Sequence, residues 1–104
     1  MDEYVVSFSV VGRIRLNLAN VTYDEIVDIC KHRASMCDME YKTIQVYKDL
    51  NEVEIHGSKT MEFMAKSIED AEDIAKRRLH MMTFDGLHKV KCGELKVKYK
   101  DRRN

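Results

Sequence analysis

The chain has 104 residues, three cysteines, no proline and a formal net charge of zero. That length supports one domain core without disulfides or a structural metal. Cysteines at only 30, 37 and 92 do not make a disulfide framework, so a reducing, cytoplasmic setting is expected. The neutral total conceals an asymmetry: residues 88–104 hold Lys89, Lys91, Lys96, Lys98, Lys100, Arg102 and Arg103 against Glu94 and Asp101, a net +5, which leaves −5 on the other 87. Such a division bears on partners rather than on fold. Met1-Asp2-Glu3 is acidic and leads into a strand, so no signal peptide is expected. The longest apolar run is too short to span a membrane.

In chain order, Tyr4 to Leu18 alternates with period two. Tyr4, Val6, Phe8, Val10, Gly12, Ile14, Leu16 and Leu18 lie on one side, while Ser7, Ser9, Val11, Arg13, Arg15 and Asn17 lie on the other. Period two over that length predicts a central strand with one buried face. Thr22-Tyr23-Asp24-Glu25 is a capping box that opens a helix over about 23–37. Tyr23, Ile26, Val27, Cys30, Ala34 and Cys37 form its apolar face.

Residues 41–48 alternate again, with Ile44 and Val46 inward and Tyr41, Thr43, Gln45 and Tyr47 outward. Asp49-Leu50-Asn51 reads as a hairpin turn, and Glu52 to His56 as a third strand. Gly57-Ser58 ends that strand and opens a second helix over about 59–82, with Met61, Met64, Ala65, Ile68, Ala75, Leu79 and Met82 as its core stripe. Asp85-Gly86 is a turn, and His88 to Lys100 is the last strand.

The order βαββαβ predicts an α+β, ferredoxin-like sandwich: a four-stranded antiparallel sheet, strand order 4-1-3-2, with two helices on one face. The domain covers residues 1–100, and 101–104 form a basic C-terminal tail. The last strand changes parity between Cys92 and Leu95. A one-residue bulge near Gly93 would reconcile Tyr4 opposite Tyr99 and Val6 opposite Val97 with Gly12 opposite Cys92 and Ile14 opposite Val90.

Three sets of residues are candidates for function. In that register Arg13 faces Lys91 and Arg15 faces Lys89, and Lys96 and Lys98 continue the row. Like charges across a strand pair are destabilising, which suggests an anion or nucleic-acid surface. The competing explanations are anti-aggregation lysines on an edge strand and an Arg13 pair with Glu52 or Asp49. Gly57, Ser58, Lys59 and Thr60 would form an anion site at a helix N-terminus. They resemble the tail of a P-loop, but Glu52 occupies the place of its first glycine. Ile29, Met36, Phe63, Ile74 and Met81 lie off the helical core stripes, as an inter-helix seam or a protein interface.

An RNA-recognition sheet would need aromatics on the outward faces of strands one and three, where Ser7, Ser9, Glu54 and His56 stand. His80, His88 and Cys92 lack a metal-ligand spacing. Val11-Gly12-Arg13-Ile14 resembles the start of the phosphate loop of acylphosphatases, over four residues only; the loop's further glycines and arginine are replaced by Leu16, Asn17 and Leu18. The chain is therefore expected to be a non-enzymatic intracellular binding or regulatory domain without cofactor or metal. It would act through contacts with another protein or as a homodimer, with nucleic-acid binding as the alternative and a small enzyme of unrecognised site as a third.

Overall fold

Alternation carries the first strand almost as far as the sequence suggests: β1 spans Asp2–Arg15. Its even positions are buried from Tyr4 to Ile14, Val6 and Val10 completely. The computed structural model describes residues 1–100; the basic tail at 101–104 lies outside the described residues. The remaining elements are α1 (Tyr23–Met36), β2 (Glu40–Tyr47), a 3-10 turn (Lys48–Leu50), β3 (Glu52–Ala65), α2 (Ile68–His80), β4 (His88–Cys92) and β5 (Lys96–Tyr99). The architecture is α+β, with two helices and a five-stranded antiparallel open sheet. Its hydrogen-bonded order is β2-β3-β1-β4, with β5 also paired to β1; from the opposite edge the path reads β4-β1-β3-β2.

The described residues gather into two compact units. The first contains Met1–Phe8, Thr60–Met82 and the described residues from Gly93 on; the second contains Ser9–Lys59 and Thr83–Cys92.

In the first unit, α2 packs against β5. Ser67 is the N-cap: its hydroxyl accepts from the Asp70 N–H, and Asp70 in turn accepts from the Lys66 N–H. The first bond satisfies a helix-end donor that would otherwise lack a partner, and the second ties down the residue before the cap. Ala71 and Ala75 supply the buried side of α2. The ring of Tyr4 meets Tyr99 edge to face at 5.8 Å.

In the second unit, α1 packs against β2 through Ile26, Cys30 and Ala34, spaced four apart on one helical face. The capping box forms as its residues require, Thr22 accepting from the Glu25 N–H and Glu25 from the Thr22 N–H. Tyr23, assigned to the core face, is instead 60% exposed at the helix start.

Further expectations are corrected. The third strand continues through Gly57 to Ala65, so the second helix begins at Ile68 rather than near Lys59. Met61, Phe63 and Ala65 are buried and Met64 is exposed, which is strand parity. Gly57 is no terminator. A Cβ there would lie 2.5 Å from the Glu40 carbonyl oxygen, so the glycine lets β2 approach inside the ladder.

The last strand is broken into β4 and β5 rather than bent. Tyr4 does face Tyr99 and Val6 faces Val97, but Val10 then faces Cys92 and Val11 faces Lys91. The extra residue is thus on the β4–β5 side, the reverse of the expected slip. A second irregularity follows, with Arg13 opposite His88 and Lys89 at φ 51°. Cys92 is consequently exposed.

Finally, Tyr41 faces Gly57 while Thr43 faces His56, so a bulge at Lys42 turns Tyr41 to the α1 side, where Lys31 lies 5.7 Å from its ring.

Candidate functional site

The polar face of the second unit gathers charge from three strands. β3 presents Glu52, Glu54 and His56, β1 presents Arg13, and β4 presents His88 and Lys89. Among the described residues Glu52 is the one charged residue in the buried set, 7% exposed. A buried carboxylate is tolerated only with partners. It accepts a hydrogen bond from His88 Nε2 at 2.5 Å, with an Arg13 guanidinium nitrogen at 3.6 Å and Lys89 Nζ at 4.0 Å. Glu54 accepts from Arg13 Nε at 3.2 Å and pairs with His56 Nε2 at 2.7 Å. The Arg13 guanidinium also lies 4.5 Å from the centre of the Tyr47 ring, a cation–π contact.

The hydrogen bond from His88 is the main reason the Glu52 carboxyl lies below its ordinary value. For Glu54, desolvation pushes upward but the bonds from His56 and Arg13 prevail, and its value is also lowered. Acids and bases here satisfy one another. Among the described residues no three His, Cys, Asp or Glu groups converge as a metal site.

This geometry divides the basic set. The expected Arg13–Lys91 and Arg15–Lys89 pairs do not form, because the register runs Arg13 to His88 and Val11 to Lys91. Arg13 is neutralised by Glu52 and Glu54, the pairing with Glu52 that the sequence offered as an alternative. Arg15, Lys89 and Lys91 are exposed in the second unit. Lys96 and Lys98 are exposed in the first, opposite Ser7 and Val5.

Gly57, Ser58, Lys59 and Thr60 cannot form a helix N-terminal anion site, since all four lie within β3. Lys59 works at the opposite pole. Its ammonium donates to the Cys37 carbonyl at the end of α1, where the helix dipole favours a cation, and lies 5.7 Å from the Phe84 ring centre.

The off-stripe set is also divided. Ile29 is half-buried and Met36 exposed in the second unit. In the first, Phe63 belongs to β3 rather than to a helix; it is buried, with the Arg78 guanidinium 4.9 Å from its ring centre. Ile74 is half-buried, and Met81 is 82% exposed just beyond α2.

Sequence reasoning missed a groove of about 710 Å³ in the second unit. One wall is Leu18, Ala19 and Val21 of the β1–α1 connection with Tyr23 and Ile26 of α1; the other is Ile44, Gln45, Val46 and Lys48, with Asn51 at the end. Its size is in the usual range for ligand sites. The connection is held in place by Leu16 N–H to the Asn51 carbonyl at 2.9 Å and Leu18 N–H to Asn51 Oδ1 at 3.4 Å. Asn51 takes the left-handed φ of 50° that closes the turn into β3. Ile44 and Val46 share a face with Ile55 and Val53, while Gln45 shares the other with Glu54. The groove therefore reaches round the outer edge of β2.

No family model, curated protein or solved structure matches this chain.

Proposed function

We propose that the protein is a non-enzymatic binding domain that acts through protein contacts, and that the α1–β2 groove is its contact surface. One observation carries this reading: a groove of mixed lining, with Leu18, Val21, Tyr23, Ile44 and Val46 beside Gln45, Lys48 and Asn51, flanks an edge strand of the sheet. Edge backbone and exposed apolar side chains together are what a partner chain can cover. The satisfied charges of the polar face favour scaffolding there over chemistry. The element order and sheet path support a ferredoxin-like topology with its final strand broken in two. No described helix is long and apolar enough to cross a membrane.

The groove variant Val46→Arg should lose a partner that the double variant Lys91→Glu/Lys96→Glu retains, as read by co-purification with the intact chain. Equal retention by both would remove the groove as the contact surface.

A second reading, polyanion binding, draws on the exposed Arg15, Lys89, Lys91, Lys96 and Lys98, although Arg13 no longer supports it. Phosphate-driven binding must weaken steeply with salt. No binding to mixed-sequence nucleic acid at low salt would end this reading.

A further inference from the structure

The two edges of the sheet are defended differently. On β4 and β5, exposed lysines at 89, 91, 96 and 98 and a break in the strand discourage pairing with another chain. On β2 the bulge at Lys42 does this only for the start of the strand. Beyond it, Thr43-Ile44-Gln45-Val46-Tyr47 carries no charge, and four of the five residues are β-branched or aromatic. No described strand pairs with its outer side.

Resting on the protein-contact reading above, we infer that the occupant of the groove is an extended peptide segment. It adds as a strand to Thr43–Tyr47 and carries an acidic residue on each flank of an uncharged, β-forming core. Main-chain hydrogen bonds to the free edge would supply affinity, and side chains on the α1 side would enter the groove beside Ile44, Val46, Tyr23 and Ile26.

Charge sets the flanks. Lys48 is the one charged residue lining the groove, and Lys42 stands at the other end of the uncharged run. Both are exposed, and neither is in an ion pair among the described residues. The same geometry disfavours a second copy at this edge. Two-fold antiparallel pairing centred on Gln45 would set Lys42 against Lys48 twice, and like charges directly opposite are destabilising.

The test uses the intact chain and the peptide acetyl-Glu-Thr-Val-Thr-Val-Thr-Glu-amide, whose valines fall opposite Ile44 and Val46 when its glutamates face Lys42 and Lys48. Controls are the same peptide with lysine for both glutamates and one with alternate backbone nitrogens methylated. The glutamate peptide should bind and shift the amide signals of Thr43 to Tyr47 and Tyr23. The lysine peptide should bind at least tenfold more weakly, methylation on the pairing edge should abolish binding, and Lys42→Glu/Lys48→Glu should reverse the preference. Binding in the groove that ignores both the flanking charge and methylation would overturn this inference and leave the protein-contact reading standing. No binding by any peptide would overturn it as well, and the Val46→Arg experiment separately decides the broader reading.

Discussion

Glu52 and His88 are 36 positions apart in sequence, yet the buried carboxylate accepts a hydrogen bond from the ring at 2.5 Å. This bond joins β3 to β4 on the polar face and sets the acid sensitivity of the fold. Glu52 and Glu54 both have native values below the ordinary 4.5. Below about pH 4.5 the unfolded chain therefore binds more protons than the native one. Their contribution to stability is complete above that pH and is lost as pH falls through the lowered native values. Denaturant midpoints measured from pH 6 to pH 2 should drop across this window. Glu52→Gln should flatten the drop, and His88→Ala, which removes the main cause of the lowered Glu52 value, should make it shallower. An unchanged profile in Glu52→Gln would show that the bond does not set the acid limb.

The start of α2 separates two readings of residues 57–70. Ser67 is the cap that accepts from Asp70, while Ser58 lies inside β3. Ser67→Ala should cost about 1 kcal/mol, and Ser58→Ala less than about 0.5 kcal/mol. Likewise Phe63→Ala, in the core, should cost about 3–5 kcal/mol, whereas the exposed Met81→Ala should cost less than about 0.5 kcal/mol. Urea unfolding of the four variants checks the ranking.

Gly57 is required by space rather than by backbone conformation. Its alanine variant would set a Cβ 2.5 Å from the Glu40 carbonyl, which the ladder can relieve only by moving backbone. The expected cost is about 1–3 kcal/mol. At Gly12 the nearest atom is the Leu87 Cδ1 at 3.0 Å, a side-chain end that can turn away. Gly12→Ala should therefore be the milder change in the same unfolding experiment.

The three thiols should differ in reactivity. Cys30 is fully buried, and burial pushes its thiol up to about 11 despite the nearby Arg33. Cys37 is buried and donates from its Sγ to the Asp85 carbonyl at 3.4 Å. Cys92 is exposed on β4. Alkylation of the native protein followed by peptide mapping should label Cys92 first. Cys30 should react only as fast as the chain unfolds.

Much of the fold was legible because single patterns determined it. Period-two alternation marked β1, Thr22 and Glu25 marked α1, and matching parities placed Tyr4 against Tyr99 and Val6 against Val97. Residues 59–65 misled because Lys59, Met61, Glu62, Met64 and Ala65 are good helix formers. Met61, Met64, Ala65 and Ile68 also fit helical spacing as well as Met61, Phe63 and Ala65 fit a strand. Tertiary pairing with buried neighbours settled the competition. The true cap is visible as Ser67-x-x-Asp70, but Gly57-Ser58 offers a competing helix start earlier in the chain.

The candidate sites were less legible. Arg13 was singled out, but its role turned on a slip at Lys89 that no local pattern shows. The groove arises between a connection and an edge strand distant in sequence. Its one local sign is the uncharged run Thr43–Tyr47, whose alternation by itself marks only a strand.

Hydrogen exchange of the intact chain, alone and with its co-purified partner, tests the contact surface most directly. The account predicts slowed exchange confined to residues 43–48, on β2 and the start of the turn after it, and to 18–26 along the opposite wall, with 88–98 unchanged. Protection centred on 88–98, with 43–48 exchanging as in the free chain, would contradict it.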